Sequence, residues 1–321
     1  MRRGWLAGRY GAGMPGQKLL LLDSASLYFR AFFGMPDSLR APDGTPVNAV
    51  RGMLDFVATL VDTTRPSAIA ACWDNDWRPA WRVELIPSYK EHRVEAPKAT
   101  EPDVEETPDL LDVQVPVIAR ALQILGIPIV GADGYEADDV IGTLATTWDG
   151  PVDIVTGDRD LFQLVDDDRG VRVLYPAKGM SKLESVDAAW VRERYGIEPR
   201  QYADFAVLRG DPSDGLPGVA GIGEKTAASL LASYGDLDGI LAAAADRHAK
   251  VAPRARANLL ASADYLAVAP RVVEVVRDLP LDVDLTLRPV SSEQVREMAE
   301  LAEAWGLGRP AERAVTALAA P

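Results

Sequence analysis

Lys18-Leu19-Leu20-Leu21-Leu22-Asp23 sets the frame for the whole chain. After Lys18 the run is apolar without alternation up to its closing acid, the pattern of a strand buried on both faces. Downstream, Val47, Val50, Met53, Leu54, Val57, Leu60 and Val61 recur at helical spacing. Residues 67–73 read as a second strand and 108–125 as a long helix. Residues 127–130, 152–156 and 171–175 read as three more strands, with a helix over 136–148. Strands alternating with helices predict an α/β fold, a parallel sheet covered on both faces. From about Ser185 the pattern changes to helices joined by glycine turns, over 186–195, 199–209, 224–233, 236–244 and 252–267. An apolar segment near 272–276 and a helix near 292–305 follow.

Outward from that frame, 321 residues with 48% hydrophobic and 26% charged content suffice for one large domain or two smaller ones, and exclude a disordered chain. Cys72 is the only cysteine, so an intrachain disulfide and a cysteine-rich zinc site are both excluded. No apolar run approaches the roughly 18 residues of a membrane span. Residues 1–16 carry Arg2, Arg3 and Arg9 without a signal-peptide apolar core and read as a flexible lead-in, with Met14 an alternative start. The net charge of −14 argues on its own against nucleic acid. Its distribution is uneven, however. Residues 77–93 set Arg78, Arg82, Lys90 and Arg93 against Glu84 and Glu91, and residues 169–209 hold eight Lys and Arg against five Asp and Glu.

The position of the acids is more informative than their number. Asp23 follows the first strand and Asp74 the second; Asp158 and Asp160 follow the fourth; Glu136, Asp138 and Asp139 open the helix after the third. Ligands of open α/β sheets bind beyond the carboxyl ends of the strands, so these acids should converge there. Asp211 and Asp214, in a Gly- and Pro-rich turn, could approach the same edge. Gathered carboxylates repel one another unless cations compensate them, and an all-oxygen set suits Mg²⁺ or Mn²⁺. Each group also has a structural role open to it: helix capping for Glu136, Asp138, Asp139, Asp158 and Asp160, and turn chemistry for Asp23, Asp211 and Asp214.

Residues 217–227, PGVAGIGEKTA, read as a tight glycine hairpin opening a helix. Gly218, Gly221 and Gly223 let backbone approach closely, while the helix start, Lys225 and Thr226 favour a phosphate, unless the run is a plain helix–helix turn. Arg78, Trp81, Arg82, Tyr89, Lys90 and Arg93 interleave aromatics with cations. They suit either stacking on an unpaired base or a helix with a buried aromatic side. Phe29 and Arg30 allow the same two readings.

The runs LLLD (20–23), GYEADD (134–139), TGDRDL (156–161) and the segment from Gly210-Asp211 to Ala227 resemble, over residues 17–290, the bacterial 5′ nuclease family, which includes the flap endonucleases and the 5′ nuclease domain of DNA polymerase I. The resemblance implies a PIN-like core over 17–184 with an arch segment at 77–107, a helix-three-turn-helix DNA-binding region over 185–290, and a C-terminal helix and tail over 291–321. Carried over residue by residue, it implies metal ligands at Asp23, Asp74, Glu136, Asp138, Asp139, Asp158, Asp160, Asp211 and Asp214. Lys90, Arg93 and Arg30 would act on the scissile phosphate, and Phe29, Arg82, Tyr89, Gly218, Gly221, Gly223, Lys225 and Thr226 would contact DNA. Two departures stand out: Gly215, where the family commonly has Asn, and Ser24, where it commonly has Gly.

The activity implied is two-metal hydrolysis of DNA at 5′ flaps, nicks or 5′ ends, in replication and repair. Asp23, Asp74, Glu136 and Asp138 would mainly hold one ion, and Asp158, Asp160 and Asp211 the other, with Asp139 and Asp214 acting directly or through water. A monovalent cation such as K⁺ would sit at the hairpin. The expected setting is a stand-alone, monomeric enzyme of the bacterial cytoplasm and nucleoid, away from membranes. A non-catalytic binder of branched DNA and a PIN-type ribonuclease are the alternatives; the complete acid set favours an enzyme, and the hairpin favours duplex DNA.

Overall fold

The computed structural model describes residues 17–95, 103, 105 and 107–319. The lead-in over 1–16, parts of the arch segment and the last two residues lie outside the described residues. Six strands form one sheet: β1 (Leu19–Asp23), β2 (Ala68–Cys72), β3 (Ile129–Val130), β4 (Val152–Val155), β5 (Val171–Tyr175) and β6 (Glu184–Val186), in the order β3-β2-β1-β4-β5-β6. β1 is central, pairing parallel with β2 (Leu21 opposite Ala70) and with β4 (Leu21 opposite Ile154). β5 continues the parallel set, and β6 closes it antiparallel.

Burial of β1 on both sides explains its composition. Leu19 and Leu21 enter one apolar core with Ala70, Ile154 and the Ala137–Thr147 helix. Leu20 and Leu22 enter the other, with Val155 and the helices Asn48–Thr64, Val115–Ile124 and Arg309–Ala319. Every residue of β1 is buried. Successive side chains of a strand point to opposite faces, so a strand serving two cores has no polar side to offer solvent.

The expected elements are present with adjusted ends. The 108–125 helix divides into Asp109–Asp112 and Val115–Ile124, with Pro116 at the start of the second piece. The 252–267 helix divides at Ser262 into Pro253–Ala261 and Ala263–Val273. Ser24–Gly34, β6 and Arg309–Ala319 were not anticipated, while Ala80–Leu85 falls where a helix was one of two open readings. The first begins directly on Asp23, whose side chain accepts the Ser26 N–H at 3.1 Å, so strand and helix share one residue with no loop to signal the change. Among the described residues no helix is long and apolar enough to cross a membrane.

Leu21 sits at the centre of the sheet and is fully buried. Leu21→Ala should cost roughly 3 kcal/mol of stability, read from the shift in denaturant midpoint at constant slope.

Candidate active site at the carboxyl edge of the sheet

Parallel strands all deliver their carboxyl ends to one edge, and the acids collect there. A basin of about 240 Å³ is lined by Asp23, Asp74, Glu136, Asp138 and Asp158, with Phe29, Trp77, Lys90, Arg93 and Glu105 around them. A smaller cleft adjoins it, sharing Glu136 and Asp138 and adding Asp160 and Asp214. Asp211 lies close enough to bear electrostatically on both Asp160 and Asp214.

Each acid is placed by a local device. Asp23 ends β1, accepts the Ser26 N–H and takes a 2.6 Å hydrogen bond from the Thr156 hydroxyl. The same hydroxyl accepts the Asp158 N–H at 2.8 Å, so one threonine joins the ends of β1 and β4. Asp158 Oδ1 accepts the Asp160 N–H at 2.8 Å. Asp74 accepts the Ala137 N–H at 2.9 Å, tying the end of β2 to the start of the Ala137–Thr147 helix. Asp211 caps the short turn Pro212–Asp214 through the Ser213 N–H at 3.0 Å. The capping roles open to these residues are thus real, and they coexist with a shared basin.

Burial dominates the electrostatics. It pushes the Asp23 carboxyl up to about 7, helped by Asp74 and Asp158 and opposed by the Thr156 hydrogen bond. It lifts Asp138 and Asp160 well above the ordinary carboxylate range, with Asp158 the foremost neighbouring charge on each. Asp74 and Asp214 are raised for the same reason, and Lys90 lowers both. Burial alone would lower Lys90, but Glu136 and the surrounding anions outweigh it and hold the ammonium well above its usual value.

Three expected site residues are placed differently from the expectation. Asp139 is fully buried, and its oxygens accept both arms of the Arg82 guanidinium at 2.7 Å, the Val276 N–H at 2.9 Å and the Glu136 N–H at 3.2 Å. Arg82, expected at the DNA, is itself buried, and it also donates to the Val272 carbonyl at 3.0 Å. Tyr89, likewise expected at the DNA, is buried with its hydroxyl donating to Glu136 at 2.8 Å. A bidentate pair satisfies a guanidinium and a carboxylate that could not be buried singly, and that decides the inward orientation of Arg82. Sequence reading gave no role to Thr156, although it stands in the quoted TGDRDL run, or to Glu105 in the arch segment.

Among the cations, Lys90 and Arg93 line the basin; Lys90 pairs with Glu136, and Arg93 reaches Asp214 at 3.0 Å. Arg30 stands beside Gly157 on the helix that opens at the basin, one residue from Phe29. Gly221, Gly223, Lys225 and Thr226 are exposed at the hairpin, and Gly218 is half-buried with φ +66°. Gly215 has φ +70°, a conformation open to Gly and tolerated by Asn, which accounts for both residue types. A Cβ there would meet the Ser88 carbonyl oxygen at 1.9 Å, so this chain needs the glycine. The hydroxyl of Ser24, the other departure, is buried without a hydrogen-bond partner among the described residues.

Among the described residues no three His, Cys, Asp or Glu side chains stand ready to hold a metal ion as placed. Several of the oxygens are instead turned toward N–H groups, Thr156 and Lys90. As a donor set the basin is all oxygen, without Cys or His, which suits hard divalent cations.

Solved structures place the class first. The bacteriophage T5 D15 protein co-crystallised with metal ions aligns at a TM-score of 0.62, with 16% identity, over 94% of this chain and 100% of that one. The catalytic core of Rad2 in complex with a DNA substrate aligns at 0.56, with 16% identity, over 95% and 91%. At that identity the likeness concerns the fold: a PIN-like α/β core with a helical C-terminal module. Sequence then narrows it. The family model for the 5′-3′ exonuclease N-terminal resolvase-like domain matches residues 18–196, and that for its C-terminal SAM fold matches 197–296. A 5′-3′ exonuclease of Streptomyces coelicolor is 60% identical over 301 residues, covering 94% of this chain and all of the relative. One of Mycobacterium tuberculosis is 51% identical over 298 residues, covering 90% and 94%. The DNA polymerase I of the same species is 41% identical over 267 residues, which are 28% of that protein. The chain belongs to the 5′-3′ exonuclease family, whose members are divalent-metal-dependent nucleases.

A carboxyl raised in the folded state destabilises the fold as it ionises. In chelator, stability should therefore fall as pH rises from about 4 toward and past the Asp23 value of about 7. Excess Mg²⁺ should flatten that slope. Thermal melting at pH 5 and pH 8 with and without Mg²⁺ checks this, with a drop of roughly 5 °C expected in chelator only.

Proposed function

We propose that the chain hydrolyses DNA phosphodiesters at 5′ flaps, nicks or 5′ ends, using Mg²⁺ or Mn²⁺ held by the carboxylates of the sheet edge. The supporting observation is the basin itself: five carboxylates from the ends of β1, β2 and β4 and from the start of the Ala137–Thr147 helix, facing Lys90 and Arg93. Divalent ions held by these carboxylates would supply a water of lowered pKa as nucleophile and charge stabilisation for the leaving oxygen. Asp23, Asp74, Glu136 and Asp138 would hold one ion, and Asp160 and Asp211 the other, with Asp158 between the groups and Asp214 acting directly or through water. Asp139 has a different role: locked to Arg82, it fixes the helix start that aims Glu136 and Asp138.

Lys90 and Arg93 would bind the scissile phosphate and offset its developing charge. Their present partners, Glu136 and Asp214, hold them at the basin until a phosphate competes for them. Arg30 and Phe29 would support the strand entering beside the Ser24–Gly34 helix. The hairpin at 218–226 would hold the duplex through phosphates without reading bases, with K⁺ at its turn. The protein would act as a monomer in the cytoplasm, on DNA of the nucleoid. Arg82 and Tyr89, buried against Asp139 and Glu136, are assigned to the frame of the site rather than to DNA contact.

Asp158→Asn should reduce cleavage of a 5′-flap duplex by at least about 10³-fold while flap binding, measured by fluorescence anisotropy, stays within about threefold. Wild-type cleavage by that variant would end the two-metal reading. Cleavage absent from the wild type on flap, nick and 5′ end alike, in either metal, would favour the non-catalytic DNA binder. Faster cutting of RNA than DNA flaps would favour the ribonuclease. Lys90→Ala should slow single-turnover cutting by about 10²-fold or more with little loss of affinity. An equal loss of affinity at unchanged rate would refute its role.

A further inference from the structure

Arg209 reaches from the acid cluster to the helix that follows the hairpin, and neither the family resemblance nor the proposed chemistry gives it a role. It ends the Tyr202–Arg209 helix. One guanidinium nitrogen donates to Asp211 Oδ2 at 2.8 Å; the other donates to Glu224 Oε1 at 3.4 Å. Glu224 is the first residue of the helix that follows the hairpin, and its side chain is 59% exposed, whereas that of Arg209 is 12% exposed. The plane of the guanidinium lies by Phe205, 5.3 Å from the ring centre, and Nε is buried without a partner. The fork is thus shared unequally between a short bond inward and a long one outward, with one donor idle.

The backbone beneath it is stiff. Asp211 and Leu216 exchange both hydrogen bonds, at 2.9 and 3.1 Å, and the Val219 N–H donates to the Leu208 carbonyl at 2.9 Å. Gly218 lies so close to Arg209 that a Cβ on it would meet the Arg209 carbonyl oxygen at 2.7 Å. Hairpin and Asp211 therefore keep a fixed spacing, and the Arg209 side chain is the adjustable part between them. The Glu224 carboxylate stands in the first turn of the helix after the hairpin, where an anion is favoured, and its contact with Arg209 shows that the guanidinium can reach an anion on that side.

We propose that Arg209 is a positioning residue that couples duplex engagement to metal loading; the inference rests on the nuclease reading above. Without DNA, its charge is an internal counterion on Asp211 and competes with a divalent ion for that carboxylate. A DNA phosphate at the hairpin displaces Glu224 and draws the guanidinium outward, freeing Asp211 Oδ2. Metal then binds more tightly when duplex is present, and by linkage duplex binds more tightly when metal is present.

The test uses the full chain and Mn²⁺ alone, with free Mn²⁺ followed by electron paramagnetic resonance. The titration is repeated with a nicked duplex carrying non-hydrolysable linkages at the cut site. Arg209→Met should bind Mn²⁺ about fivefold or more tightly without DNA, and duplex should improve its affinity far less than it improves wild type. Glu224→Gln removes the outer anion and leaves the guanidinium on Asp211, so its DNA-free Mn²⁺ affinity should fall or hold. Arg209→Met with unchanged or weaker DNA-free Mn²⁺ binding, or with the full wild-type gain from duplex, overturns the coupling. So does tighter DNA-free binding by Glu224→Gln. Should Arg209→Met be misfolded by circular dichroism, Glu224→Gln and the wild-type gain from duplex still decide. A wild type that binds Mn²⁺ but cuts no DNA would defeat the nuclease reading, whereas one that cuts while Arg209→Met titrates like it defeats only the coupling.

Discussion

Charge compensation at the carboxyl edge of the sheet is the constraint on which the rest depends. Five parallel strands point one way, and the central ones lead into acids that the packing around them buries wholly, as at Asp23, or in part, as at Asp74 and Asp158. Burial in low dielectric disfavours every ionised carboxylate, and each new one adds to the repulsion. The chain meets this in three ways at once. Short hydrogen bonds from Ser26, Thr156 and Ala137 satisfy some oxygens. The cations Lys90, Arg93 and Arg209 take up others. The remainder is left for divalent ions, so the same residues that make the bare edge costly make it a site.

Arg82 shows what separates a structural ion pair from a functional one in the same few ångströms. Four of its five N–H donors are engaged: two bonds to Asp139, one to the Val272 carbonyl and a longer one to Glu136. The group is buried, and breaking the pair would strand a buried charge. Lys90, although buried, and the half-exposed Arg93 instead line the open basin, where a phosphate could exchange for their partners. Access to the basin, rather than charge or exposure alone, separates them from Arg82.

Much of this was legible in the sequence. The unalternating Leu19–Leu22 run implied a central strand, and acids at the ends of apolar runs implied a shared edge, because strand direction and strand ends are both local properties. The orientation of Arg82, Tyr89 and Asp139 was not legible, because it depends on pairings between segments more than 45 residues apart. β6 was missed because three residues with one buried side carry little pattern. The Ser24–Gly34 helix was missed because Asp23 reads equally well as the end of a strand and as a helix cap, and in the fold it is both.

The gateway segment is joined to the rest by contacts that bear on how the site closes. The Lys90 N–H donates to the Asp214 carbonyl at 3.0 Å, the Ser88 hydroxyl to the Gly215 carbonyl at 2.7 Å, and Arg93 to the Ser213 carbonyl at 2.7 Å. Lys90 itself sits at φ +49°, a conformation costly for a residue with a side chain and sustained only where the surroundings enforce it. The segment carrying the two basin cations is therefore seated on the very turn that carries Asp214. That turn is closed by the paired hydrogen bonds of Asp211 and Leu216 and runs directly into the hairpin, which the Val219 N–H ties back to the Leu208 carbonyl. The segment of Lys90 and Arg93, the acids Asp211 and Asp214 and the start of the hairpin meet on the six residues from 211 to 216. A shift of the hairpin on meeting duplex would thus be felt by the acids and the cations together, which is what a nuclease needs to cut only where a duplex is properly seated.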